Sequence, residues 1–143
     1  REDTEKKPEL DMARVNQELI VKEDDFLKDY VAKNDTAFKK TDSGFWYKVE
    51  KQTQGKQIKN GDVCIISYKL YLLDGTLLEE VSDLSVTVGR KEVITGLDMG
   101  LELMRKGETA WFIIPWNLAY RLKGYENLVP PYTSVMYEVE VTE

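Results

Sequence analysis

The apolar residues of this chain change period once, at Gly44: before it they recur three, four and seven residues apart, and after it they alternate. Side chains repeat about every 3.6 residues around a helix and every two along a strand, so one pattern cannot serve as the other. The chain must therefore begin as helix and continue as sheet. Over residues 8–34, Met12, Val15, Leu19, Phe26 and Tyr30 form one apolar stripe between charges, and Ile20, Leu27 and Val31 form a partial second. This predicts one amphipathic helix, wide enough on its apolar side to dock on its own domain or on a second copy of the chain. Docking on its own domain is the preferred reading. Turn formers then fill residues 34–44, which places the boundary between a helical extension, residues 1–43, and a β-rich domain, residues 44–143.

Within that domain Phe45, Tyr47 and Val49 alternate with Trp46, Lys48 and Glu50, the pattern of a strand with one face covered. Asn60-Gly61-Asp62 is a turn, residues 63–73 read as a long strand, and Asp74-Gly75 turns the chain back through residues 76–81. Residues 84–88 are expected to form a further short strand. Thr95 is placed to cap a helix of about three turns, with Asp98 in its first turn facing the positive end of the dipole and Leu97, Leu101 and Met104 as its buried stripe. Residues 109–114 and 134–142 complete the strands, with an irregular aromatic loop at 115–131 between them. The expected class is α+β: a curved antiparallel sheet, a half-barrel, wrapped over one short helix.

Composition narrows the function. The sequence contains no histidine, which removes Ser-His-Asp and Cys-His nucleophile systems and every histidine-ligated metal site. The net charge of -6 is spread along the chain without a basic block, so nucleic acid is not an expected partner. No stretch is apolar enough to cross a bilayer as a helix. Cys64 is the only cysteine and lies in the run Val63-Cys64-Ile65-Ile66, so it reads as a small buried hydrophobe. No cofactor and no metal is expected. Glu79 and Glu80 are neighbours on a strand and point to opposite faces, so they cannot act together as an acid–base pair; Glu80 is expected in solvent and Glu79 at a pocket rim.

Asp74-Gly75-Thr76, Glu92-Val93-Ile94-Thr95-Gly96-Leu97, Gly100-Leu101 with Met104, Gly107-Glu108, Leu118-Ala119-Tyr120 and Val129-Pro130-Pro131 occur in this order. Their joint order and spacing resemble the FKBP-type peptidyl-prolyl cis-trans isomerases. The N-terminal helix, the strand start Gly44-Phe45-Trp46-Tyr47 and residues 95–108 are further similar to the FKBP-like lipoproteins associated with gliding motility in Bacteroidetes. The resemblance implies proline-containing polypeptides as partners and a periplasmic location, with membrane attachment only through a lipid upstream of Arg1. The chain is expected to be a monomer or a dimer joined through its helix.

Carried over residue by residue, the family pocket falls on Tyr68, Glu79, Ile94 and Tyr120 as the catalytic set. Leu78, Leu84, Val93, Leu97, Leu128 and Tyr137 complete the substrate-binding lining. The backbone amide of Ile94 and the hydroxyl of Tyr120 would each hold a substrate carbonyl, and Leu97 would be the floor. Three departures from the family pattern point to an attenuated isomerase: Leu97 replaces a tryptophan, Leu78-Glu79 replaces phenylalanine-aspartate, and residues 80–88 contain no arginine. The resemblance implies an isomerase that assists folding of secreted or envelope proteins. The alternative from a different class is a non-catalytic chaperone or assembly module that binds partner peptides in the same pocket.

Overall fold

The computed structural model describes residues 11–142. Its elements in chain order are helix α1 (Met12–Asn34), strands β1 (Lys39–Lys40), β2 (Trp46–Lys51), β3 (Val63–Leu72) and β4 (Leu77–Thr87), helix α2 (Thr95–Leu101), and strands β5 (Thr109–Ile114) and β6 (Val135–Val141). The six strands form one antiparallel sheet in the order β1-β2-β5-β6-β3-β4. The sheet begins ahead of the change in periodicity, because Lys39 and Lys40 pair with Tyr47 and Trp46 across the Gly44 turn.

Alternation along β5 and β6 sorts the side chains. Ala110, Phe112 and Ile114 of β5 and Val135, Tyr137, Val139 and Val141 of β6 face the main core with Leu97, Leu101 and Met104. Gly96 and Gly100 let α2 lie against this face: a Cβ on Gly100 would stand 2.7 Å from the Phe112 ring, and one on Gly96 2.4 Å from Ile114 Cγ2. The opposite face carries a second, smaller core in which Leu27, Val31 and Phe38 cover Ile113, flanked by Trp46, Trp111 and Met136. Strand β2 is thus covered on both faces at Trp46, where the alternating pattern predicted one.

Several expectations need correction. Helix α1 begins at Met12 among the described residues, and positions 8–10 of the expected helix lie outside them. It docks through Leu27, Val31 and Tyr30, whereas Met12 and Phe26 of the longer stripe are about half exposed, at 48% and 50%. Val15, Leu19 and Ile20 are part-covered, and full burial is reached only at Leu27 and Val31, which pack with Phe38 and Ile113. Residues 77–87 are one strand rather than two, kept continuous by two bulges. At the first, Leu77 pairs with Tyr71 and Glu79 with Leu70, leaving Leu78 as the extra residue; at the second, Asp83 turns at φ 54° and donates its amide to Ser67 Oγ. Helix α2 has seven residues, about two turns, and continues as tight turns in which Glu102, Leu103 and Met104 amides reach back three residues. Thr95 is inside the helix and caps nothing; Ile94 holds the cap position without a side-chain bond. Asp98 is 6% exposed, and its carboxylate accepts from the amides of Gly89 at 2.9 Å and Lys91 at 3.2 Å.

Cys64 is buried, as its apolar neighbours predicted. No helix among the described residues is long and apolar enough to cross a membrane.

Candidate functional site

The curved inner face of the sheet leaves a cavity of about 350 Å³ between β3, β4, β6, α2 and the loop after β5. Eight of the ten residues chosen from the sequence line it: Tyr68 from β3, Glu79 and Leu84 from β4, Val93 and Ile94 from the connection to α2, Leu97 from α2, Tyr120 from the loop and Tyr137 from β6. The bulges set the reach of β4. Leu70 opposite Glu79 and Ile66 opposite Leu84 both face the core, and only an extra residue between them lets positions 79 and 84, an odd number apart, share that face.

Leu78 and Leu128 do not line the cavity; both are half-buried against the core. Leu78 is the extra residue of the first bulge, so its side chain is displaced from the regular alternation. Leu128 sits in a turn closed by its own amide and that of Val129 donating to the Tyr125 carbonyl, and this turn presents Tyr125 to the cavity instead.

Tyr125 and Glu92 complete the lining and were missed. Glu92 stood inside the motif that flagged Val93 and Ile94, and its carboxylate accepts from the Thr87 amide at 2.9 Å. Tyr125 follows Gly124, which holds φ 72° with no room for a side chain, since a Cβ there would stand 2.4 Å from the Val129 carbonyl oxygen. That aromatic in a glycine-bounded turn was the available signal.

Four tyrosine hydroxyls organise the site. Tyr68 and Tyr125 donate to the two oxygens of Glu79, at 3.2 and 2.6 Å. The hydroxyls of Tyr120 and Tyr137 hydrogen-bond to each other. The Tyr120 and Tyr125 rings stack at 4.8 Å and 7°, and Tyr68 tilts against Tyr137 at 5.2 Å and 59°. Glu79 is thus held by neutral donors, in place of a cation.

Each phenol is pushed above its ordinary pKa. Burial does most of this for Tyr68, Tyr120 and Tyr137, and the hydrogen bond to Glu79 does most for Tyr125. All four therefore stay protonated as donors through the neutral range and beyond the usual tyrosine pKa of about 10. Any activity that depends on them should show no alkaline loss below about pH 10. A pH–rate profile checks this, and an alkaline limb with a midpoint under that value would contradict the arrangement.

This is a cavity at the mouth of a half-barrel, lined by the apolar side chains of Leu84, Val93, Ile94 and Leu97 together with four tyrosines and two carboxylates, in a chain without histidine. Apolar side chains and hydrogen-bonding groups thus share one cavity. A profile of FKBP-type peptidyl-prolyl cis-trans isomerases matches residues 54–142, and the chain belongs to this family. The probable FKBP-type isomerase FkpA of Neisseria meningitidis is 35% identical over 133 residues, covering 92% of this chain and 47% of that protein. A probable FKBP-type isomerase of Haemophilus influenzae is 33% identical over 111 residues, 73% of this chain and 44% of that protein. The crystal structure of FkpA from Escherichia coli superposes with a TM-score of 0.74 at 25% identity, over 92% of this chain and 63% of that chain. The chain spans about half the length of these two curated relatives.

Proposed function

We propose that the chain is a prolyl cis–trans isomerase acting on proline-containing segments of folding proteins. The observation that carries this reading is the convergence of Tyr68, Glu79, Leu84, Val93, Ile94, Leu97, Tyr120 and Tyr137 on one cavity.

A prolyl amide rotates slowly because twisting it forfeits resonance, a barrier of about 18–20 kcal/mol. No bond is broken, so the protein needs only to bind the twisted amide more tightly than either planar form. The twisted carbonyl has less charge separation than the planar one. An apolar wall of Leu84, Val93, Ile94 and Leu97 therefore penalises it less. The Ile94 amide and the Tyr120 hydroxyl are assigned to the flanking carbonyls, with Tyr137 orienting Tyr120 through their shared hydrogen bond.

The test is exchange of a Leu-Pro peptide with and without the protein. Tyr120→Phe should lower the acceleration about threefold to tenfold, the worth of one net hydrogen bond, while circular dichroism stays unchanged. No acceleration by the parent, together with peptide binding that competes for the same pocket, would establish a non-catalytic binding module on this fold.

The same proposal places the protein in the bacterial envelope as a folding assistant, supported by its likeness to FkpA of Neisseria meningitidis and Escherichia coli. Within that setting the N-terminal helix, the Gly44-Phe45-Trp46-Tyr47 strand start and residues 95–108 support the narrower kinship with gliding-motility lipoproteins. Metabolic labelling of the native protein with a fatty acid tests the anchor; an unlabelled, freely released protein overturns it. Packing of α1 on its own sheet supports a monomer, and solution mass decides between that and a helix-joined dimer.

A further inference from the structure

We infer that Tyr125 is a positioning residue of the isomerase: it ties the loop after β5 to Glu79 of β4 and thereby aligns the Tyr120 hydroxyl. The inference rests on the isomerase reading and adds to it a residue that acts through another.

The loop needs such a tie. Between Tyr120 and Leu128 the chain runs out from the domain, and Arg121, Leu122, Lys123, Glu126 and Asn127 are exposed. Gly124 and Tyr125 are part-covered, and Gly124 has no side chain, so Tyr125 alone docks this stretch through a side chain. Arg121 at φ 55° and Glu126 at φ 50° hold left-handed backbone, which residues of their kind seldom adopt. A run of this shape persists where outside contacts fix it. The backbone of Tyr125 is fixed first: its amide donates to the Val129 carbonyl at 2.8 Å, and its carbonyl accepts from the amides of Leu128 at 2.9 Å and Val129 at 3.1 Å.

The side chain then makes two contacts. Its hydroxyl donates to Glu79 Oε2 at 2.6 Å, while Tyr68 donates to Oε1 at 3.2 Å. Both carboxylate oxygens are thus engaged inside the protein, and Glu79 serves as an anchor for the loop. The Tyr125 ring lies on that of Tyr120 at 4.8 Å and 7°, close to parallel. Tyr120 is therefore held at two points, on its ring face by Tyr125 and at its hydroxyl by Tyr137. With Tyr137 as the donor of that hydroxyl pair, the Tyr120 proton is left for a substrate carbonyl. A donor assists a reaction most when it is already in place, because none of its own ordering then has to accompany the reaction. Glu79, Tyr125 and Tyr120 form the line of contacts that puts it there.

The experiment is a double-mutant cycle on catalysed exchange of a Leu-Pro peptide, read by NMR. Tyr125→Phe keeps the ring and loses the bond to Glu79, and should lower kcat/KM about threefold. Tyr125→Leu loses the stacked ring as well, and should match Tyr120→Phe at about threefold to tenfold. In the Tyr120→Phe background neither change should lower the rate further, because the hydroxyl that Tyr125 aligns is already gone. A role confined to loop stability would not depend on that hydroxyl, and its effect would multiply with that of Tyr120→Phe. Multiplying effects, or Tyr125 variants as fast as the parent, overturn the inference and leave the isomerase intact. If circular dichroism shows that Tyr125→Leu does not fold, Tyr125→Phe and its double variant complete the cycle by themselves. A parent protein that does not accelerate exchange overturns the isomerase reading and the inference together.

Discussion

An Asp98→Ala variant is expected to lose about 3 kcal/mol of stability and most of its affinity for peptide, because one carboxylate holds two backbone amides of the segment that delivers Val93 and Ile94. Those amides belong to Gly89, at φ 88°, and Lys91, at φ 58°. A lysine in the left-handed region is uncommon and costs of order 1 kcal/mol, so the turn persists only where something else fixes it. The Asp98 carboxylate does this from inside, where it is 6% exposed. Asp98→Asn keeps one acceptor oxygen and should lose about half as much. Urea melts of the two variants, with unchanged slope and shifted midpoint, give the stabilities; peptide titration gives the affinity. If both variants melt within about 0.5 kcal/mol of the parent, the segment is held by other contacts and Asp98 has no positioning role.

Asp98 also shows where sequence reasoning stops. A carboxylate in the first turn of a short helix reads as a partner of the helix dipole, and only the fold brings the 89–91 turn against it. Periodicity carried the larger features: the switch at Gly44, the alternation of β5 and β6, and the buried Leu97, Leu101 and Met104. It could not carry the bulges at Leu78 and Asp83, because each breaks the alternation by one residue without a glycine to mark it. Most of the pocket was legible through the resemblance of its motifs. Tyr125 was not, because its orientation depends on a turn closed at Val129 rather than on its neighbours in sequence.

The N-terminal helix offers the second large effect. Leu27 is fully buried against Val31, Phe38 and Ile113 on the outer face of the sheet, so Leu27→Ala should cost about 3 kcal/mol, the usual range for emptying a packed leucine site. The consequence should reach the pocket. Ser134 links α1 to the loop that carries Tyr120 and Tyr125: its hydroxyl donates to Glu23 Oε2 at 2.6 Å and accepts from the Trp116 amide at 3.2 Å. Tyr132, packed edge-on against Trp116, extends the same contact. If α1 and the half-barrel form one cooperative unit, helical circular dichroism and tryptophan fluorescence from Trp46, Trp111 and Trp116 will melt together in the parent and in the variant, at a lower midpoint in the latter. If the helix melts first while the sheet midpoint is unchanged, α1 is a separate unit held on the outer face, and Glu23 then has no part in placing the Tyr120 loop. The cooperative outcome would mean that the helix and the loop that carries Tyr120 are held as one unit, since the same buried serine is bonded to Glu23 of the one and to the Trp116 amide of the other.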